Sequence, residues 1–332
     1  MGTTQFDVVG IGNAIVDVVA MTTSAFLEEH ELTKGAMLLV DEATAARIYG
    51  AMGQGIETSG GSAANTIAGL ASLGARCGFI GKTCDDQLGE VFRHDLRALG
   101  IHFPTTPLRG APSTARCLVL VTPDAHRTMA TFLGAATQLT PDDVDAATIR
   151  SAAITYLEGY LFDPPLAKAA FRRARELAHA AGKRVALTLS DAFCVERHRD
   201  DFLALLRSGV DVLFANETEI MKLLGSDQAA VIRARLSSDV GITVITRSER
   251  GSLVVTAGEM QEIASVPLAP VLDTTGAGDL YASGFLYGLA TGFDLARCGK
   301  LASLCAAEAI SHFGARPQSS LRALAATYAI GA

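Results

Sequence analysis

The sequence reads Asp273-Thr274-Thr275-Gly276-Ala277-Gly278-Asp279 immediately before a helical pattern that begins at Leu280. At such a loop-to-helix junction, backbone N–H groups without helical partners and the positive end of the helix dipole favour an anion. The small residues 276–278 allow a phosphoryl group to approach the backbone closely. The stretch therefore predicts a phosphate cradle at the start of a helix.

Asp279, the last residue of this stretch, is the candidate catalytic base. Phosphoryl transfer has a loose transition state in which positioning and charge stabilisation dominate, so a weakly basic carboxylate beside the cradle is sufficient. The alternative interpretation is that Asp279 only caps the helix. Because the complete stretch is present, rather than a lone Gly-x-Gly, we favour the catalytic interpretation.

Outward from this loop, short apolar runs alternate with alanine-rich amphipathic stretches. The runs typical of strands span residues 6–11, 76–80, 153–158, 184–189, 210–215, 242–246 and 252–256, and the helical patterns span 63–72, 166–181, 220–224 and 278–290. This alternation predicts an α/β fold with a mostly parallel central sheet covered by helices on both faces. Ligands of such sheets bind beyond the carboxyl ends of the strands.

Two stretches interrupt the alternation. Residues 16–21 with 36–40, and 115–121 with 127–132, have the pattern of antiparallel strand pairs without a crossover helix. We expect them to form a small β-sheet lid, and the alternative is extra edge strands of the main sheet. The chain is predicted to be a single domain over residues 1–332, with lid strands from about 16–40 and 112–133.

Composition limits the partners of the protein. With 332 residues, 49% hydrophobic and 19% charged, the chain can bury a large core, and its net charge of −7 argues against nucleic-acid or anionic-membrane binding. No apolar run approaches the roughly 20 residues of a membrane span, and we expect a cytoplasmic protein with a small-molecule substrate, as a monomer or homodimer. The six cysteines form no Cys-x-x-Cys pair and are predicted to be core thiols.

A second glycine-rich helix start and an early aspartate offer substrate contacts. Gly60 and Gly61 precede a helical pattern in which Asn65 provides both a donor and an acceptor. Asp17 follows the first strand, where Ile15 replaces the third glycine of a dinucleotide fingerprint, so a Rossmann oxidoreductase is disfavoured. A carboxylate there suits two vicinal hydroxyls. The plainer alternatives are an ordinary turn before a helix and a surface aspartate.

Together these motifs resemble the ribokinase-like (PfkB) family of sugar and nucleoside kinases, along nearly the whole chain. The resemblance rests on Gly60-Gly61 with Asn65, on residues 80–89, and on residues 273–279, in that order. It implies a three-layer αβα domain with a small β-sheet lid that moves the γ-phosphoryl group of ATP to an alcohol. It also implies that Asp279 is the base, that residues 276–278 form the anion hole, and that ring hydroxyls contact Asp17, Gly60, Gly61 and Asn65.

The resemblance extends to a nucleotide side. Asn216 and Glu219 resemble the Asn-x-x-Glu motif of the family, which implies that Glu219 acts on Mg²⁺ through water. The alternative for Glu219 is an ordinary glutamate at a helix start. Thr246 and Gly251 belong to a segment similar to the nucleotide loop, although Ser248 stands where the family has glycine.

Residues 311–315, including Gly314, resemble the loop of the family that contacts nucleotide and monovalent cation. The resemblance implies that Thr274 and Gly314 contact the nucleotide. It also implies that Asp273 and Thr275 could supply oxygens to K⁺.

The acceptor is indicated by similarity to the adenosine-kinase-like branch, in residues 32–37 and 157–161. This implies that Tyr160 stacks on a nucleobase, and a core aromatic is the alternative. Arg116 could touch an anionic substrate or be solvated. We predict phosphorylation of the 5′-hydroxyl of adenosine or a related nucleoside. The alternatives are a sugar kinase of the fructokinase or ribokinase type, and a non-catalytic nucleotide or sugar sensor.

Overall fold

The computed structural model describes residues 4–330 except Ala125 and Ser237. In this part of the chain, the strands are β1 (Phe6–Ile11), β2 (Ile15–Met21), β3 (Met37–Leu39), β4 (Gly55–Gly60), β5 (Cys77–Ile80), β6 (Ala115–Val121), β7 (Arg127–Phe132), β8 (Ala152–Glu158), β9 (Arg184–Thr188), β10 (Val212–Asn216), β11 (Ile242–Thr246), β12 (Ser252–Val255) and β13 (Met260–Ile263). The α-helices of the same residues are α1 (Ser24–Glu29), α2 (Glu42–Ala51), α3 (Ser62–Leu73), α4 (Gln87–Ala98), α5 (Ala146–Arg150), α6 (Pro165–Ala180), α7 (Ala192–Arg207), α8 (Glu217–Leu224), α9 (Ala229–Leu236), α10 (Ala277–Thr291), α11 (Leu295–Ala309) and α12 (Leu321–Thr327).

The large sheet has the strand order β13-β12-β11-β10-β9-β8-β1-β5 among the described residues. Its strands are parallel from β5 to β11, as the alternation of strands and helices predicts. β12 and β13 are antiparallel to their neighbours, which the alternation did not indicate for residues 252–256. Only residues 247–251 separate β11 from β12, a connection too short for the crossover that a parallel strand requires.

Helices cover both faces of the large sheet. Neighbouring residues of β10 show this directly, because successive side chains of a strand point to opposite faces. Leu213 packs in a core with Phe171 of α6 and Phe202 of α7. Phe214 packs on the other face, with its ring 5.7 Å from that of Phe285 in α10. The three-layer αβα prediction is therefore confirmed.

A second, smaller sheet has the order β3-β7-β6-β2-β4 in the described part of the chain. The expected pairing of residues 16–21 with 36–40 is wrong, because β2 pairs with β4 and β6 whereas β3 pairs with β7. β4 lies outside the predicted lid ranges. Its sequence, GIETSG, is short of the β-branched and aromatic residues that mark a strand, and its place in the sheet comes from pairing with β2.

The described residues contain no helix that is both long and apolar enough to cross a membrane. All six cysteines are buried and free, as predicted for core thiols.

Candidate active site

The site lies at the carboxyl ends of β1 and β8, where helices α3 and α10 begin and β2 leaves for the small sheet. Asp279 joins the two glycine-rich motifs. Ser62 Oγ donates to Asp279 Oδ1 at 2.6 Å, and Asn65 Nδ2 donates to Asp279 Oδ2 at 3.1 Å. Residues more than 200 positions apart in the sequence thus form one hydrogen-bonded unit.

Asp279 is not the cap of its own helix. The N-cap of α10 is Gly276, and no side-chain cap hydrogen bond is present there. Burial raises the pKa of Asp279 to about 6, although the hydrogen bonds from Ser62 and Asn65 oppose the shift. A carboxylate of this pKa is ionised at neutral pH and is a better base than an ordinary aspartate.

The start of α10 presents open amides. Among the described residues, the amides of Gly276, Gly278 and Asp279 have no hydrogen-bond acceptor, whereas the amide of Ala277 donates to the Thr274 carbonyl at 3.2 Å. Gly276 has φ +78°, and a Cβ there would lie 2.6 Å from Ala315 Cα, so only glycine fits. A Cβ on Gly278 would meet no described atom of another element within 4 Å, so the space beside this residue is open. The start of α10 can therefore receive an anion.

Asp17 lies in β2, and its carboxylate has no hydrogen-bond partner among the described residues. Gly60 makes room for it, because a Cβ on Gly60 would lie 2.3 Å from Asp17 Oδ2. Burial raises the pKa of Asp17 to about 6, and the nearby charges of Arg316 and Arg127 oppose this shift. An unpartnered carboxylate next to glycine backbone is suited to accept hydrogen bonds from hydroxyl groups.

Glu158, at the end of β8, was not recognised as a site residue from the sequence. Its side chain is 1% exposed and accepts from Asn13 N at 3.2 Å, Asn13 Nδ2 at 2.6 Å and Ala63 N at 2.7 Å. Burial raises its pKa to about 7, opposed by these hydrogen bonds. Glu158 thus joins the turn after β1 to the start of α3. Its only sequence signal is a glutamate that ends a buried apolar strand.

Arg127, in β7 of the small sheet, was also not among the predicted site residues. Arg127 Nη1 lies 2.6 Å from Asp273 Oδ2 and donates to Thr275 Oγ1 at 2.8 Å. Asp273 also accepts from Thr275 N, Thr275 Oγ1 and Gly314 N. These hydrogen bonds and the charge of Arg127 outweigh burial and lower the pKa of Asp273.

The predicted K⁺ ligands do not fit that role in this arrangement. Both oxygens of Asp273 already accept hydrogen bonds, and the positive charge beside them belongs to Arg127.

On the nucleotide side, Asn216 and Glu219 form a capping box at the start of α8. Glu219 Oε2 accepts from Asn216 N at 2.9 Å and Oε1 from Asn216 Nδ2 at 2.7 Å. Burial raises the pKa of Glu219 to about 7. Each oxygen accepts only one hydrogen bond and keeps a free lone pair. Such a carboxylate fits Mg²⁺ that is held through water.

The segment after β11 keeps the backbone shape that glycines would give it. Ser248, where the family has glycine, adopts φ +52°. Gly251 has φ +77°, and a Cβ there would lie 2.0 Å from the Ile263 carbonyl oxygen. The nucleotide contacts of Thr246, Gly251, Thr274 and Gly314 stay predictions.

Two further predicted residues have distinct surroundings. Tyr160 is 38% exposed, and its ring and hydroxyl have no partner among the described residues, so it is not a core aromatic. Arg116 lies over the rings of Tyr49 and Phe132 within the small sheet region, 5.9 and 5.8 Å from their centroids. It is therefore not fully solvated, and its contact with a substrate stays a prediction.

The large sheet with its smaller companion and the cradle at α10 define a class: the ribokinase-like α/β kinases, which phosphorylate a hydroxyl group of a small molecule. The sequence profile described as pfkB family carbohydrate kinase matches residues 42–321. The chain belongs to this family of sugar and nucleoside kinases.

Two solved structures and one relative illustrate the range of similar proteins. The adenosine kinase from Sinorhizobium meliloti is 48% identical, covers 98% of this chain and 99% of its own, and has a TM-score of 0.89. A probable sugar kinase from Rhizobium etli is 44% identical over 99% of this chain and 100% of its own, with a TM-score of 0.91. The ATP-dependent ribose-1-phosphate kinase of Halopiger xanaduensis is 31% identical over 81% of this chain and 86% of its own.

Proposed function

We propose that this protein is an ATP-dependent kinase that phosphorylates the 5′-hydroxyl of adenosine or a related nucleoside. The observation that carries the phosphotransfer chemistry is the placement of Asp279. Ser62 and Asn65 hold its carboxylate beside the open amides of the α10 start. The choice of nucleoside is supported by the 48% identity to an adenosine kinase and by the exposed ring of Tyr160.

In the reaction, Asp279 accepts the proton of the 5′-hydroxyl while that oxygen bonds to the γ-phosphorus of ATP. The bond from the γ-phosphorus to the bridging oxygen of ADP breaks, and ADP leaves with that electron pair. The amides of Gly276, Gly278 and Asp279 would stabilise the charge on the transferred group. Mg²⁺, when bound, neutralises charge on the phosphates, and Glu219 would hold it through water. Asp17 accepts from the ribose hydroxyls, and Tyr160 stacks on the base.

The small sheet would act as a lid. Arg127 already joins β7 to the loop before α10, through Asp273 and Thr275. Closure over both substrates would exclude water from the transferred phosphoryl group. Small-angle scattering with and without adenosine and a non-hydrolysable ATP analogue is expected to show compaction only with both, and no compaction would contradict the lid.

The acceptor is tested by coupled ADP release with adenosine, other nucleosides, ribose, fructose and ribose 1-phosphate, with the product identified by chromatography. We expect adenosine or a related nucleoside to have the highest kcat/KM and to give the 5′-monophosphate. Turnover of sugars alone would overturn the nucleoside proposal. It would favour the second candidate, a sugar kinase, which the similarity to a ribose-1-phosphate kinase supports.

A further inference from the structure

Arg316 lies behind the acceptor side of the site, in the segment between α11 and α12. Its Nε donates to Asn65 Oδ1 at 3.4 Å, so its guanidinium stands next to the residue that holds Asp279. The preceding residue, Ala315, is pressed against Gly276. The backbone of Arg316 is therefore fixed relative to the start of α10.

The guanidinium of Arg316 is incompletely satisfied. Its Nη2 atom is buried and has no hydrogen-bond partner. Burial lowers the pKa of Arg316 to about 10, and the negative charges of Asp95 and Asp17 oppose the shift. A buried donor without an acceptor is costly, so a native protein rarely keeps one unless a ligand or water completes it.

Two carboxylates face this cation. Asp95 Oδ2 already accepts from Ser59 N at 2.9 Å and Ser59 Oγ at 2.8 Å. The Asp17 carboxylate accepts from no described residue, and no ion pair within 4.0 Å joins it to Arg316 in the described part of the chain. An unpaired acceptor and an unpaired donor are thus close enough for the charge of each to act on the other.

A hydroxyl group is the ligand that suits this donor and this acceptor together, because it both donates and accepts. We propose that Arg316 is a specificity-determining residue whose Nη2 donates to an oxygen of the vicinal diol of the acceptor, while Asp17 accepts from the same diol. This inference rests on the proposed function for the identity of the acceptor, but not for its diol. A site that hydrogen-bonds a substrate hydroxyl strongly rejects an analogue without it, because its own polar groups then stay unpaired.

The experiment compares adenosine, 2′-deoxyadenosine and 3′-deoxyadenosine as acceptors for the wild type and Arg316→Gln. We expect Arg316→Gln to lower kcat/KM for adenosine by about 10–100-fold, the factor that corresponds to one or two hydrogen bonds of a charged donor. For the analogue that lacks the contacted hydroxyl, the loss should be about tenfold smaller than for adenosine, because only the hydrogen bond from Arg316 to Asn65 is then removed. The preference for adenosine over that analogue therefore collapses in the variant. Equal losses for all three acceptors would show a merely structural role and overturn the inference.

Two controls keep the test decisive. Arg322→Gln removes an exposed arginine of α12 and should leave all three kcat/KM values unchanged. If Arg316→Gln does not fold, Arg316→Lys keeps the charge but loses the fork of donors, and the same collapse of preference is expected. If the wild type phosphorylates only a sugar, the proposed nucleoside function fails. The Arg316 comparison is then made with that sugar and its monodeoxy derivatives, and it gives the same two outcomes.

Discussion

Helices α3 and α10 begin in nearly the same way, but the amides of their first turns differ in their hydrogen-bond acceptors. Each follows a glycine of positive φ, +95° at Gly61 and +78° at Gly276, and neither has a side-chain cap. The two helices pack so closely that a Cβ on Gly69 would lie 2.5 Å from Ser283 Oγ. At α3 the amide of Ala63 donates to buried Glu158. At α10 the amides of Gly276, Gly278 and Asp279 find no acceptor among the described residues.

This difference in acceptors indicates how a helix start can become available to an anionic ligand. The protein supplies its own carboxylate to the Ala63 amide of α3, whose first turn positions Ser62 and Asn65. It supplies none to α10, so the partial positive charge there is available to a phosphoryl group. The following predictions test this contrast between the two helix starts, in order of decreasing effect.

Asp279→Asn should remove the base while leaving the amides of the α10 start in place. We expect kcat to fall by about 10²–10⁴-fold, the usual contribution of general base catalysis, with little change in nucleotide affinity. Steady-state kinetics and nucleotide titration measure the two effects. The matched control is Asp294→Asn, because Asp294 caps α11 by accepting from Arg297 N. That variant should lose only stability, and a similar loss of kcat in both variants would contradict the assignment of Asp279.

Gly278→Ala tests whether the space above the α10 amides belongs to the transferred group. The new methyl group meets no protein atom within 4 Å, so the melting temperature should not fall. The methyl group would displace the phosphoryl group by about 1 Å, and we expect kcat/KM for ATP to drop by about 10²-fold. Gly50→Ala in α2 is the control, since its Cβ also meets nothing within 4 Å. Unchanged kinetics in Gly278→Ala would show that no phosphate binds there.

Glu158→Gln tests the carboxylate at the end of β8 that accepts a hydrogen bond from the first turn of α3. One of the three donors to Glu158 would face an amide N–H₂ group, so we expect the free energy of unfolding to fall by about 1–3 kcal/mol at neutral pH. Urea denaturation measures this loss. The exposed Glu28→Gln serves as the control and should change stability by less than about 0.5 kcal/mol. A loss no larger than that of the control would remove the contrast between the two helices.

The same carboxylate gives the wild type a pH dependence of stability. Burial raises the pKa of Glu158 from its ordinary value of 4.5 to about 7 in the folded protein, so the folded state binds the proton more tightly than the unfolded state. Stability should therefore decrease as pH rises from about 4.5 to about 7, and Glu219 adds a decrease in the same window. Glu158→Gln should flatten this slope in denaturation series across that range, whereas Glu28→Gln should not.

Features that depend on residues close together in the sequence could be predicted from the sequence. Residues 273–279 predicted a helix start with an open anion site, and α10 begins at Ala277. The alternation of apolar strand patterns with helical patterns predicted the parallel part of the large sheet. Ser248 was noted as a departure from the family, but its left-handed backbone could not be foreseen, because serine rarely adopts it.

Features that depend on distant partners were beyond prediction. No periodicity indicates that Glu158 will face Ala63, or that Arg127 will pair with Asp273. The pairing of β4 with β2 was missed for the same reason. The glycine-rich sequence of β4 has a low strand propensity, and β4 forms a strand because it pairs with β2. For Arg116 the sequence left open a substrate contact or a solvated side chain, and its position over two aromatic rings could not be foreseen because both rings come from distant residues.

Asp17 belongs to a strand of the small sheet, whereas Asp279 belongs to a helix packed on the large one. Only residues 12–14 connect β1 to β2, so the two carboxylates sit on bodies joined by a short segment. An acceptor that reaches both would tie these bodies together at the moment of transfer. A water molecule is too small to contact both carboxylates. Placing them on different bodies would therefore protect ATP from hydrolysis when no acceptor is bound.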